Sequence, residues 1–551
     1  MSVSDFRFSS FLDSIPDSCT DSFIDILQVL RRHDPGAPAL TLLRGLKEEL
    51  RWSYQQLLQT AQGFRHALQA AGVGPGASVC VIADNSPHFI ALFLACYDMG
   101  CCFVPLHPDQ RAETITGVLR QLRPALVIVD EVLQGVLLRS VLETAGRTWR
   151  LRIHRTPWLR PVLGCAVRRH QPVAINIASN ACASSGTTVD VASEAAPPVL
   201  LLHSSGSTGI PKVIGYTRPR LNLFLHWQRR LFDAFPDVPA TKHPSPRVNA
   251  LPLAHFGGLS FVLQALLDGR TVHLPRAIAP EDYLALAVRE HCQLLMLVPA
   301  LYEALLCTAE VSLFESSLRY CLTMGEAVTA QLITLIERRL GVRVYSAYGM
   351  SEGLSGLSHH ASDIPPDSCG RRLFGEIKLV NGIDDTDSNE GELWVRNETT
   401  APCYSDPQLN AEKFVDGWYR TGDRLRCDAL GFFYFLGRVD AMCVVNGRNV
   451  YPADVEQVLL GHADVMDCMA AGFAVAKGKQ RLGVMVCLRA DSRQTAAGLV
   501  DWFLEHGPLH ATPAWLLLAK AIPRNLSGKR DRLAVAALLE QEYRACLRKV
   551  S

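Results

Sequence analysis

The chain has no Cys-x-x-Cys pair, although it holds 17 cysteines in 551 residues. Scattered thiols, with only Cys101 and Cys102 adjacent, form neither a metal-ligand pattern nor a disulfide framework, so reduced and mostly buried cysteines are expected. An excess of one charge is also missing: 55 Lys and Arg face 54 Asp and Glu, a formal net charge of +1. That balance argues against nucleic acid or an anionic membrane as the main partner. Long hydrophobic runs are absent too, since the longest, Phe89 to Leu106, is broken by Asp98 and Gly100. A membrane span is therefore not expected. The N-terminus shows no basic stretch leading into an apolar core and a small-residue cleavage site, so a cytoplasmic protein is expected rather than a secreted one.

What is present is soluble globular composition, 48% hydrophobic and 20% charged, in a chain long enough for more than one domain. From Trp52 onward helical and strand patterns alternate. Tyr54 to Ala71 has helical spacing, Ser78 to Ala83 reads as a strand, Pro87 to Met99 as a helix and Cys102 to Pro105 as a strand. Ala112 to Leu122 is again helical and Ala125 to Asp130 again a strand. This βαβ rhythm predicts α/β architecture with parallel sheets flanked by helices. The pattern weakens between Arg147 and Pro198, which reads as a connector. It resumes with a strand over Val248 to Pro252, a helix over Leu259 to Leu267 and a strand over Leu294 to Pro299. A helix over Thr329 to Leu340 and a strand over Val342 to Tyr345 follow. From Gly391 the text turns to β-type segments. After Asp440 it breaks into a small α+β tail with helices over Asp454 to Gly461, Ala497 to His506 and Arg532 to Lys549.

The densest chemical signal is His203-Ser204-Ser205-Gly206-Ser207-Thr208-Gly209-Ile210-Pro211-Lys212, directly after the apolar run Val199 to Leu202. Glycines let backbone N–H groups approach an anion, hydroxyls add donors, and a lysine supplies mobile positive charge for outer phosphates. A Walker loop is excluded, because that pattern ends in Gly-Lys-Ser/Thr, whereas here Pro211 precedes the lysine and Val213 follows it. Read alone, such a run is also an ordinary surface loop.

Further on, Tyr348-Gly349-Met350-Ser351-Glu352 places a ring, a glycine, a hydroxyl and a carboxylate at the end of a strand. Those are what a nucleotide site needs: a face for a purine, room for phosphate and a ligand for magnesium. A strand-to-helix turn capped by Ser351 is the plainer alternative. Gly422-Asp423 offers a carboxylate after a glycine turn, suited to two ribose hydroxyls, and Arg438 offers a cationic fork. Near the end, Ser527-Gly528-Lys529 puts a lysine on a loop.

Taken together and in this order, these motifs resemble the adenylate-forming superfamily of acyl-CoA synthetases, peptide-synthetase adenylation domains and luciferases, closest in flavour to aryl- or acyl-CoA ligases. The resemblance runs from about Trp52 to Arg532. It implies a large N-terminal domain of two βαβ-type sheets plus a small distorted β-barrel, residues 1–440, and a small mobile α+β domain, residues 441–551. It further implies that Ser204, Ser205, Gly206, Ser207, Thr208, Gly209 and Lys212 wrap the outer phosphates of ATP. The backbone of Gly325, Glu326 and Ala327 would line the adenine and acyl pocket, the Tyr348 ring would lie against adenine, and Gly349 would belong to the same nucleotide site. Ser351 would touch the α-phosphate. Glu352, with Thr208, would hold Mg2+, and Asp423 would bind the ribose, assisted by Arg438. Lys529 would bridge carboxylate and α-phosphate as an acyl-adenylate forms and pyrophosphate leaves. The tail would then turn so that a thiol of CoA, or the phosphopantetheine of a carrier protein, enters past Gly447.

His255-Phe256-Gly257-Gly258 resembles the pocket-lining motif of that superfamily. No carboxylate follows until Asp268, so a buried substrate ammonium would be uncompensated, and an α-amino acid is disfavoured against an aryl or acyl acid. His255 also reads as a packed core histidine. Two departures from the superfamily pattern, Ala441 at the hinge and Val444 beyond it, bear on the thioester step. Other readings of the same motifs are a ligase that loads only a dedicated acyl carrier protein and a degenerate nucleotide-binding interaction protein.

Overall fold

The structure is a computed structural model. It describes residues 25–110, 112–130, 135–145, 148–152, 158–161, 197–204, 212–233, 244–308, 317–326, 328, 330–358, 365, 368–381, 388–400, 404, 406–445, 448–476, 479–524 and 529–550.

Local chemistry sets the first helices. Ser86 accepts from the N–H of Phe89 at 3.2 Å, Pro87 occupies the first turn, and Gly100 ends the helix Pro87–Met99 in the left-handed region. This helix is apolar on nearly every face and forms the centre of the largest core cluster. Beside it lies a seven-stranded sheet. Its order is Trp158–Pro161, Thr148–Arg152, Leu126–Asp130, Ser78–Ile82, Cys102–Leu106, Leu200–Ser204 and Lys212–Tyr216. The inner strands run parallel, and the first and last pair antiparallel to their neighbours. The connector expected over Arg147 to Pro198 is corrected in part, because Thr148–Arg152 and Trp158–Pro161 extend this sheet.

A second layer is built from Lys47–Ser53, Pro38–Arg44, Val272–Arg276 and Arg247–Val248. A single parallel bridge between Asn249 and Met296 joins it to Leu294–Leu297, Tyr320–Met324 and Arg343–Ala347. The strand expected over Val248 to Pro252 is thus only two residues long. The hairpin Pro38–Arg44/Lys47–Ser53 had no counterpart in the sequence reading.

The β-type text after residue 376 forms a five-stranded antiparallel sheet of Glu376–Val380, Glu390–Arg396, Trp418–Cys427, Phe414–Val415 and Phe433–Arg438. Beyond residue 443, Val465–Ala476, Lys479–Leu488 and Trp515–Ala519 make a three-stranded sheet. The helices Pro452–Leu460, Ala496–His506 and Arg532–Val550 cover it. Its two apolar clusters draw on residues from Cys443 onward only. Among the described residues, no helix is long and apolar enough to cross a membrane.

Candidate functional site

A cleft of about 1750 Å3 lies where the second layer, the antiparallel sheet and the tail meet. Its walls carry Lys212, Gly325, Glu326, Tyr348, Gly349, Ser351, Glu352, Asp423, Arg438 and Lys529 together. Residues scattered over more than 300 positions of sequence are thus brought to one space. Ser204 ends the strand that pairs with Lys212 at the mouth of their hairpin. Ser205, Gly206, Ser207, Thr208, Gly209, Ala327 and Gly447 lie outside the described residues.

The strand Arg343–Ala347 delivers Tyr348, whose hydroxyl donates to Asp423 Oδ2 at 2.5 Å. Burial, reinforced by that carboxylate, holds the phenol well above its ordinary pKa, so it remains a donor. Asp423 is 9% exposed, and burial raises its pKa against the pull of Arg438 and Tyr348. Arg438 Nη1 donates to Asp423 Oδ1 at 2.9 Å and to the carbonyl of Thr421 at 3.1 Å, while its other nitrogens grip both oxygens of Asp440. The turn expected before Asp423 is in fact part of the strand Trp418–Cys427, bent where Gly422 takes φ +74°. That backbone conformation favours glycine, and a Cβ there would stand 2.9 Å from Arg438 Nη2 and push the guanidinium aside. Glu392 steadies this bend by accepting from the Gly422 N–H at 2.9 Å.

Glu352 is held by a phenol: the Tyr404 hydroxyl donates to Oε1 at 2.6 Å and contacts the Tyr419 hydroxyl at 3.0 Å. The buried Tyr216 donates to the carbonyl of Ser351 at 2.9 Å. Lys212, Lys413, Arg438 and Lys529 add positive charge around the same space. Crowding lowers the pKa of Lys413 through burial and through the neighbouring Lys212 and Arg438. Lys529 opens onto the cleft but is ringed by protein. That surrounding depresses its pKa below the usual lysine value, while Glu326, Asp423 and Glu352 oppose the shift. Such a cluster of cations, with hydroxyl donors and the Glu352 carboxylate among them, is suited to a polyphosphate and a hard divalent ion.

Gly325 takes φ +92°, and a Cβ there would lie 3.3 Å from Lys529 Cε. Glu326 lines the cleft, but its carboxylate turns to the tail, accepting from Arg524 Nη1 at 3.4 Å and from the Arg530 backbone N–H.

The acid-pocket motif divides. His255 caps the helix Phe256–Leu267 without a side-chain capping bond. Burial, with His203 and Lys529 nearby, drives its pKa down to about 3. His203 is likewise lowered by burial to about 4. Phe256 does not reach the cleft: it is 4% exposed, with its ring centroid 4.8 Å from Tyr216 and 4.5 Å from Phe224. Gly258 is a packing position, since a Cβ would stand 2.4 Å from the carbonyl oxygen of Pro252. Gly257 leaves space beside Leu251 and Met324. Asp268 sits at the other end of the helix, bound to Arg229 at 2.8 Å.

The sequence reading missed Tyr404, Tyr419, Lys413, Glu392 and Arg524. Tyr419 and Arg524 stand inside the runs that carry Asp423 and Lys529 and the others outside any motif, but in every case the role is to hold a motif residue, for which local sequence carries no signal.

The family model described as AMP-binding enzyme matches residues 28–405. Among curated proteins, a sulfoacetate–CoA ligase of Cupriavidus necator is 28% identical, over 84% of this chain and 88% of that protein. A feruloyl-CoA synthase of Amycolatopsis sp is 27% identical, over 87% and 92%. A medium/long-chain-fatty-acid–[acyl-carrier-protein] ligase of Mycobacterium tuberculosis is 26% identical, over 88% and 90%. Among solved structures, ATP-bound MatB from Rhodopseudomonas palustris superposes with a TM-score of 0.77 at 19% identity, covering 94% of this chain and 99% of that one.

Proposed function

This chain belongs to the AMP-binding enzyme family, and from that premise we propose that it activates an aryl or acyl carboxylic acid with ATP and passes the acyl group to a thiol. In the first step a carboxylate oxygen attacks the α-phosphorus, the bond to the β-phosphate oxygen breaks, and pyrophosphate leaves with the electron pair. In the second the thiol sulfur attacks the acyl carbon, its proton goes to solvent or base, and AMP leaves. The observation that carries this reading is the Tyr348–Asp423 hydrogen bond of 2.5 Å inside a cleft that also holds Glu352 and Lys529. On this reading Tyr348 would offer its ring to adenine and Asp423 its carboxylate to ribose.

Lys212 and Lys413 would receive the outer phosphates, and Lys529 the charge that builds on the α-phosphate as the acid adds. Glu352 fits Mg2+, which takes one or two carboxylates plus substrate phosphates, and the ion would offset phosphate charge. Tyr404 orients that carboxylate. An α-amino acid is disfavoured because Asp268 lies a whole helix of 12 residues from His255, about 18 Å at 1.5 Å per residue, and is already ion-paired. The division into 1–440 and 441–551, with the tail turning near Asp440 and Ala441, belongs to the same proposal.

Two relatives act with CoA by name and one with an acyl carrier protein, so CoA is the acceptor we favour. Acid-dependent exchange of pyrophosphate into ATP, run over aryl, short and medium acids, tests the first step. Exchange with at least one acid class is expected, and silence across all of them rejects the reading. Offering CoA and a pantetheinylated carrier to the trapped adenylate then decides the acceptor.

A further inference from the structure

Arg524 and Arg530 are bridged to each other by antiparallel backbone pairing, with Lys529 directly before Arg530. Both are anchored to the tail: Arg530 Nη1 lies 3.3 Å from Asp467 Oδ1, and Arg524 Nη2 lies 3.9 Å from Asp467 Oδ2. Both also reach out of the tail. Arg524 Nη2 pairs with Glu303 at 2.8 Å and Nη1 with Glu326 at 3.4 Å, while the Arg530 N–H donates to the other oxygen of Glu326. Asp467 would travel with the tail in any turning motion. Glu303 and Glu326 would not, so only these two contacts belong to one pose.

We propose that Glu326, aided by Glu303, is a positioning residue: a catch that seats the Arg524–Arg530 stem, and with it Lys529, in the cleft for adenylate formation, and lets go before the thiol step. This rests on the two-step reading above and assigns the Glu326 carboxylate to the tail rather than to the nucleotide. The weight falls on Glu326, whose side chain is 10% exposed, against 46% for Glu303. Partial burial raises the Glu303 pKa, an effect that Arg524 opposes. Gly325, next in sequence, leaves the Lys529 stem room beside it, since a Cβ there would stand 3.3 Å from Lys529 Cε.

The test compares the full-length chain with Glu326→Gln, Arg524→Gln and the exchange Glu326→Arg with Arg524→Glu. Adenylate formation is read by pyrophosphate exchange, and thioester formation from supplied acyl-adenylate and CoA. Distances are read between optical probes at the exposed positions Leu46 and Leu538. The two Gln variants should lower the ratio of the first rate to the second by roughly 10- to 100-fold, as expected for a lost charge-assisted hydrogen bond. The loss should fall on kcat rather than on the KM for ATP. The probe distances should broaden toward the separated form, and the exchange should recover part of the ratio. An unchanged distance distribution, or equal loss of both steps, overturns the catch. If no acid supports exchange in the unaltered chain but the distances still shift, the ligase reading fails and the catch stands.

Discussion

Gly422 shows how much of the site rests on a single missing side chain. Its φ of +74° favours glycine by itself, and a would-be Cβ 2.9 Å from Arg438 Nη2 would also push the guanidinium aside. Gly422→Ala is expected to cost about 1–2 kcal/mol from the left-handed backbone alone, with displacement of Arg438 in addition. Urea denaturation checks the first effect, and weaker ATP binding by calorimetry checks the second. Glu326 teaches a different lesson about single residues. The sequence placed it at the nucleotide pocket, and it does line the cleft, but its carboxylate is turned toward Arg524 and Arg530. Nothing local could reveal that, because its partners lie about 200 positions away.

Elements were legible where punctuation was strong. The helices Pro87–Met99 and Ala112–Leu122 have the expected bounds, the first because Ser86, Pro87 and Gly100 fix both ends. The hairpin strand Lys47–Ser53 was not legible, since its exposed face carries charges and its run of Lys, Glu and Arg resembles a loop. The ten-residue strand Trp418–Cys427 was read as a turn because Gly422 is punctuation that the neighbouring strands override. Of the acid-pocket motif, Phe256 proved to be core, held by Tyr216 and Phe224, which local sequence does not connect. The end of the strand Leu200–Ser204 carries a pH dependence with a definite sign. Burial lowers His203 to about 4, below the 6.5 of a free imidazole, so the unfolded chain binds the extra proton between those values. The neutral ring's contribution is therefore intact above about 6.5 and is lost as pH falls toward about 4. Denaturant midpoints at pH 7, 6 and 5 should fall less steeply for His203→Gln than for the unaltered chain.

At the scale of the whole molecule, the cleft draws one wall from the second layer, another from the antiparallel sheet, and Lys529 with Arg530 and Arg532 from the tail. If that division carries the two proposed steps, Lys529→Ala separates them. Adenylate formation should drop on the order of 100-fold, the usual cost of removing one transition-state donor, while thioester formation from supplied adenylate continues. Single-turnover measurements of each step decide it, and equal loss of both would count against a turning tail.

The bare backbone at Gly325 has one more consequence. With Lys529 Cε 3.3 Å from where a side chain would begin, the space between this wall and the lysine holds little more than one carbon. If the tail turns as proposed, a larger residue here would crowd both the lysine stem and its ammonium, weighing against the pose that seats them from the smallest position on the wall.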